Sequence, residues 1–237
     1  MDGNINVAIG IQARLNSSRF PNKILEKIGT KRMIDHVVDL CKSCQTHINR
    51  QTWRHSINVD LAILAPESEY EQFSGMTTVP TFYGPEDDVL TRYDRLLDLT
   101  PKYIVRITSD CPMLPSELLT KHIMIAVKHR LDYISNVDTR FRTAPDGYDV
   151  EVISKDLFEY VLQNAISSDD REHVTTFIRH SPPNWARIAH VVHNMDESGY
   201  KYSVDTPKDL EIVKKKYDEK QEKMRLLKRT KDGIFKY

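Results

Sequence analysis

The chain has 237 residues, 40% hydrophobic and 29% charged; that apolar content supports a folded core and excludes an intrinsically disordered chain. Its 34 Lys and Arg balance 34 Asp and Glu, so no global basic field favours nucleic acid or an anionic membrane, and any anion must be held by local clusters. No apolar run approaches the ~18 residues of a membrane span, and the first residues lack the basic flank and apolar stretch of a secretory signal. Three cysteines make no disulfide framework and fit a reducing, cytoplasmic setting.

In chain order, INVAIGI (5–11) reads as a buried strand. It runs into ARLNSSRFPNK (13–23), which gathers Arg14, Arg19 and Lys23 with two serines and two asparagines but no glycine. Residues 33–45 carry apolar side chains at helical spacing. Cys41 and Cys44 there form a C-x-x-C with His47 close behind. They are either two thiols on one helix or part of a zinc or redox site that lacks a fourth ligand. A polar excursion, 46–57, precedes a second buried strand, VDLAILA (59–65). An amphipathic helix over 86–99, a third strand KYIVRIT (102–108) and a helix within 115–130 follow. LDYISNV (132–138) is strand-like, YDVEVI (148–153) alternates, and 155–165 is helical. A helix over 169–180 opens on DDRE, with Asp169 as cap and Glu172 closing a capping box. WARIAHVV (185–192) is a further strand. Thr206 caps and Pro207 begins the last helix, whose lysine-rich tail from about 214 is a solvated face. The early alternation of strand and helix predicts an α/β fold, a mostly parallel sheet flanked by helices, in a single domain over 1–237.

In open α/β sheets ligands sit beyond the carboxyl ends of the strands. Residues 13–23 leave the first strand at that end. Their backbone N–H groups, with Ser17 and Ser18, suit phosphate oxygens, and Arg14, Arg19 and Lys23 suit a polyphosphate's charge. Asn16 and Asn22 tolerate left-handed backbone in place of glycine. An ordinary polar connection is the alternative. Asp110 follows the third strand and Asp205 precedes the Thr206–Pro207 helix start. Each alone fits a turn or helix-start aspartate; together beside a triphosphate they suit Mg2+. Asp87, Asp88 and Arg92 share one helical segment, where Asp88 and Arg92 also fit an i,i+4 salt bridge. Asp149 and Glu151 fall on one strand face, either solvent or the edge of a pocket. Arg171 suits a carboxylate or phosphate, and His173 is either a base or a structural residue at a helix start.

Six segments in order carry a resemblance: ARLNSSRFPNK (13–23), YGPEDDVLTRY (83–93), VRITSDCPML (105–114), PDGYDVEVI (145–153), DREHVTTFI (170–178) and YSVDTPKDL (202–210). Together they resemble the cytidylyltransferases of the spore coat polysaccharide biosynthesis protein F type, relatives of the CMP-KDO and CMP-acylneuraminate synthetases. The resemblance implies a Rossmann-like, glycosyltransferase-A-like nucleotidyltransferase fold. It implies transfer of CMP from CTP to a small sugar-acid-like or phosphorylated acceptor, with release of pyrophosphate, for surface polysaccharide or glycoconjugate synthesis. It casts Arg14, Lys23, Asp110 and Asp205 as catalytic, with Mg2+ on Asp110 and Asp205. Ala13, Arg14, Ser18, Arg19, Lys23, Asp88 and Arg92 become nucleotide contacts. Asp149, Glu151, Arg171 and His173 become acceptor contacts, and a homodimer is implied. Two other readings share the same sheet: a glycosyltransferase using a ready-made nucleotide sugar, and a catalytically inactive nucleotide-binding scaffold.

Overall fold

A computed structural model describes residues 4–50 and 56–234. The elements are β1 (Ile5–Gln12), β2 (Lys27–Ile28), β3 (Lys31–Arg32), α1 (Met33–Asn49), β4 (Ile57–Pro66), α2 (Tyr70–Phe73), β5 (Thr81–Gly84), α3 (Val89–Asp94), β6 (Tyr103–Thr108), α4 (Ser116–His129), β7 (Tyr133–Ser135), β8 (Glu151–Ser154), α5 (Lys155–Asn164), α6 (Ser168–His173), α7 (Thr176–His180), β9 (Ile188–His190) and α8 (Pro207–Ile234). Seven strands form the main sheet in the order β5-β4-β1-β6-β8-β7-β9. Only β8 opposes its neighbours, β6 and β7.

The apolar runs of β1, β4 and β6 are continuous because helices cover both faces of the sheet. Val7, Ile9, Ile11, Val105 and Ile107 pack on one face with Ile34, Val37 and Cys41 of α1 and Leu119 and Ile123 of α4. On the other, Ala8, Ile104, Tyr133 and Ile153 meet Leu90 and Tyr93 of α3, Leu157 and Phe158 of α5 and Ile178 of α7. Gly10 makes room there: a Cβ on it would lie 2.7 Å from the Tyr93 ring, whose hydroxyl donates to the Gly10 carbonyl at 3.0 Å. A third cluster joins Ile28, Met33 and Met113 to Tyr202, Val204, Leu210 and Val213, and so fixes the start of α8 against the loop that follows β6.

Several elements depart from the sequence expectation. β5 is an additional edge strand. The helix expected over 86–99 is a short α3 followed by a tight 3-10 turn, Arg95–Leu99. The expected 169–180 helix breaks at buried Val174, held at φ 61° and ψ −52°. There the Thr175 N–H donates to the His173 carbonyl at 2.6 Å, making a γ-turn of the rare positive-φ kind. The cap of α6 is Ser167, whose hydroxyl accepts from the Asp170 N–H, so the Asp169–Glu172 capping box does not form. The strand in YDVEVI spans only Glu151–Ser154, leaving Asp149 ahead of it. At α8 the cap is reciprocal: Thr206 Oγ1 accepts from the Asp209 N–H, and the Asp209 carboxylate accepts from the Thr206 N–H. Of the 46–57 excursion, residues 46–49 continue α1, and 51–55 lie outside the described residues. Cys41 and Cys44 are core residues. Burial pushes the Cys44 thiol up to about 11, and His47 is exposed.

Candidate active site

The chain leaves β1, builds β4 and β5 on one side, then returns to place β6 on the other side of β1. The β1/β6 boundary is therefore the topological switch point, and the crevice beyond those two strand ends is the expected ligand site. Residues 13–23 enter it from β1 and Asp110 from β6.

The loop is tied down before it reaches the crevice. The Ala13 N–H continues the ladder by donating to the Leu64 carbonyl at 3.0 Å. Glu69, buried at 6% exposure, accepts from the N–H groups of Leu15 at 2.8 Å and Asn16 at 2.7 Å. Two of the amides expected to cradle phosphate are thus occupied by a carboxylate of the same chain. Ser17 is buried, and its N–H turns back to the Leu15 carbonyl. Asn22 adopts the left-handed backbone, at φ 59°, and Asn16 does not. Arg14 and Ser18 remain exposed, with no hydrogen-bond or ion-pair partner among the described residues. Glu69→Ala should destabilise the protein by about 2–3 kcal/mol, because two buried amides lose a charged acceptor. Glu69→Gln, which keeps one acceptor oxygen, should cost less. Urea unfolding midpoints check both; equal midpoints for all three proteins would remove Glu69 as the loop's anchor.

Lys23 sits at the centre of the site with its side chain 8% exposed. Its ammonium donates to Asp110 Oδ2 at 2.7 Å, to the Val204 carbonyl at 2.7 Å and to Asp205 Oδ1 at 3.3 Å. Asp110 and Asp205 therefore converge on one point, as the strand-end argument requires. The Val204 N–H donates to the Asp110 carbonyl at 2.9 Å and stitches the two segments together. Lys23, expected on the triphosphate, here lies between the two carboxylates as their counter-ion. Asp205 also accepts from Arg19 at 2.8 Å and from Lys201 at 3.0 Å. Burial raises the Asp205 pKa, but the Lys201 hydrogen bond and the charges of Lys23 and Lys201 prevail and hold it below the ordinary value. Gly147 makes this delivery possible. At φ +96° it lies so close to the 202–203 backbone that a Cβ would come within 2.4 Å of the Ser203 nitrogen.

The remaining expected contacts separate. Asp88 caps α3, accepting from the Thr91 N–H, and pairs with Arg171 at 2.7 Å; the expected Asp88–Arg92 bridge is absent among the described residues. Arg92 is 1% exposed and donates to the Leu64 and Glu86 carbonyls, so it braces strand ends and does not face solvent. Burial, and the like charge of Arg14, pull its guanidinium below the ordinary value. Asp87 is exposed. Glu151 lies on neither a solvent face nor an open pocket edge: it is 1% exposed, and accepts from Arg106 at 2.8 Å and from the Tyr133 hydroxyl. Arg171 is engaged by Asp88, Thr91 and the Ala165 carbonyl. His173 is exposed on α6, 3.6 Å from Asp169. Asp149 stays near the centre. Burial pushes its carboxyl up to about 6 although Arg142 donates to it at 2.6 Å. The Cys111 thiol is raised by burial and by the charges of Asp110, Asp149 and Asp146. Glu69, Arg106, Arg142 and Lys201 were not singled out from the sequence, where no spacing marks them.

Among the described residues no group of three or more His, Cys, Asp or Glu side chains gathers to hold a metal. The hard oxygens of Asp110 and Asp205 nonetheless suit Mg2+, which takes one or two carboxylates and completes its shell with phosphate oxygens and water.

A mostly parallel sheet covered by helices on both faces, with a basic loop and a carboxylate pair at its switch point, is a Rossmann-like architecture. The fold overlays a cytidylyltransferase from Leptospira borgpetersenii serovar Hardjo-bovis with a TM-score of 0.74 at 24% identity, covering 89% of this chain and 85% of that one. It overlays CMP:2-keto-3-deoxy-manno-octonic acid synthetase complexed with CTP with a TM-score of 0.63 at 17% identity, covering 91% and 99%. The spore coat polysaccharide biosynthesis protein SpsF of Bacillus subtilis is 28% identical over 221 residues, 90% of this chain and 87% of that protein. The cytidylyltransferase family model matches residues 8–233, and the chain belongs to that family, as its six motifs imply.

Proposed function

We propose that the protein transfers the cytidylyl group of CTP to an oxygen of a small acidic-sugar or phosphorylated acceptor, releasing pyrophosphate, for surface polysaccharide or glycoconjugate synthesis. The observation that carries this is the convergence of Asp110 and Asp205 on one ammonium, with an exposed Arg14 on the same loop as Lys23 that has no hydrogen-bond or ion-pair partner among the described residues. Arg14 and Ser18 are free to meet the triphosphate, where arginine supplies a fork for phosphate oxygens. Asp110 and Asp205 would hold Mg2+, which supplies charge neutralisation and orientation at the phosphates. Arg19 and Lys23 bracket Asp205 and fix where its oxygens point. The names of SpsF and of the CTP-bound synthetase support the nucleotide and the pathway class. Cytoplasmic placement fits three free, buried cysteines, and among the described residues no helix is long and apolar enough to cross a membrane. The exposed apolar side chains of Trp185, Val192 and Met195, flanking the edge strand β9, supply surface for a homodimer. Pyrophosphate release, measured with four nucleoside triphosphates against a panel of acidic and phosphorylated sugars, should be fastest with CTP. Equal rates with UTP or ATP would refute the base preference. Sugar transfer from a nucleotide sugar without pyrophosphate would make the protein a glycosyltransferase.

A further inference from the structure

β8 opposes both β6 and β7, so β6 and β7 run the same way. The loop after β7 therefore leaves the sheet at the same edge as Asp110. Two interstrand steps of about 4.8 Å put it roughly 10 Å from the end of β6. At that edge lies a cavity of about 500 Å³ lined by Asp138, Thr139, Arg140, Arg179 and His180.

Its charges do not cancel. Asp138 is buried and gripped by both Nε and Nη2 of Arg140, at 3.0 and 2.7 Å. Arg140 is 65% exposed and keeps an open flank toward the cavity. Arg179, half-buried at the end of α7, donates from its side chain to Thr176 Oγ1 at 3.0 Å and has no carboxylate partner among the described residues. A guanidinium taken partly out of water without an anion is costly, and its planar fork matches carboxylate and phosphate. Arg171, the residue expected for this task, is already engaged by Asp88.

We propose that this cavity binds the anionic group of the acceptor, a carboxylate or a phosphate, on Arg179 and Arg140, while the acceptor's hydroxyl reaches Asp110 and Asp205. The proposal rests on the cytidylyltransferase reading, and its test separates the two. Inorganic phosphate and gluconate are titrated separately into the CTP- and Mg2+-loaded protein, with the arginine side-chain N–H signals followed by NMR. Saturable shifts at Arg179 and Arg140 are expected with at least one anion; saturation with phosphate alone marks a phosphorylated acceptor, and with gluconate alone a sugar acid. Arg179→Gln should abolish the shifts. It should raise the KM of any acceptor that turns over by about tenfold or more and leave the KM for CTP unchanged. Arg140→Gln, at an exposed position, should do the same to a smaller degree, and guards against a misfolded Arg179 variant. Absence of saturation at Arg179 with both anions overturns the proposal, as does an unchanged acceptor KM in both variants. If anions titrate Arg179 but CTP does not bind, the cytidylyltransferase reading fails and the anion cavity stands. If CTP is consumed but neither anion reaches Arg179, the cavity proposal alone fails.

Discussion

Asp110→Asn and Asp205→Asn should each slow pyrophosphate release by about 100-fold or more while leaving the fold intact. Asparagine keeps the shape and an acceptor oxygen, so the ammonium of Lys23, at 2.7 Å from Asp110 and 3.3 Å from Asp205, retains a partner in either variant. What is lost is a negative charge on a hard ligand, and Mg2+ tolerates that poorly when only two carboxylates converge. Because both side chains address one point, the double variant should cost far less than the product of the single losses. Steady-state rates at saturating CTP and Mg2+, with melting temperatures alongside, give the comparison. Multiplicative losses would mean that the two aspartates act at separate places.

Lys23→Met should have the largest effect on stability, about 2–4 kcal/mol. The ammonium is buried between carboxylates that are themselves only 26% and 21% exposed. Its removal leaves two like charges facing each other and the Val204 carbonyl without its donor. Asp205 keeps Arg19 and Lys201, which offset part of that repulsion. Protonating either carboxylate relieves the rest, so the deficit should shrink as pH falls through the carboxylate range. A divalent cation replaces the missing charge, so Mg2+ should stabilise the variant more than the wild type. Urea unfolding at two pH values, with and without Mg2+, measures both effects. A deficit indifferent to pH and Mg2+ would reduce Lys23 to an ordinary packing residue.

The sequence made the strand framework legible where burial is continuous: INVAIGI, VDLAILA and KYIVRIT each become a central parallel strand, bounded to within two residues. β5 was not legible, because TFYG is four residues long and mostly half-buried. The break at Val174 was equally hidden, since a β-branched residue gives no hint of positive φ and tertiary packing imposes it. In the site, the convergence of Asp110 and Asp205 followed from where strands end. The occupancy of each charged group did not. Whether Arg171 faces a ligand or Asp88, whether Glu151 meets solvent or Arg106, and whether loop amides meet phosphate or Glu69 depends on partners dozens of residues away. Charge in a sequence shows that a partner is needed and not which one the fold supplies.

The proposed mechanism requires Asp110 and Asp205 to hold one divalent cation together with CTP. A Mn2+ titration followed by electron paramagnetic resonance, in the presence and absence of CTP, decides whether they do. The prediction is one Mn2+ per chain, tightened by CTP, coupled to phosphorus nuclei and lost in Asp110→Asn and Asp205→Asn alike. Undiminished Mn2+–CTP binding in both variants would contradict it.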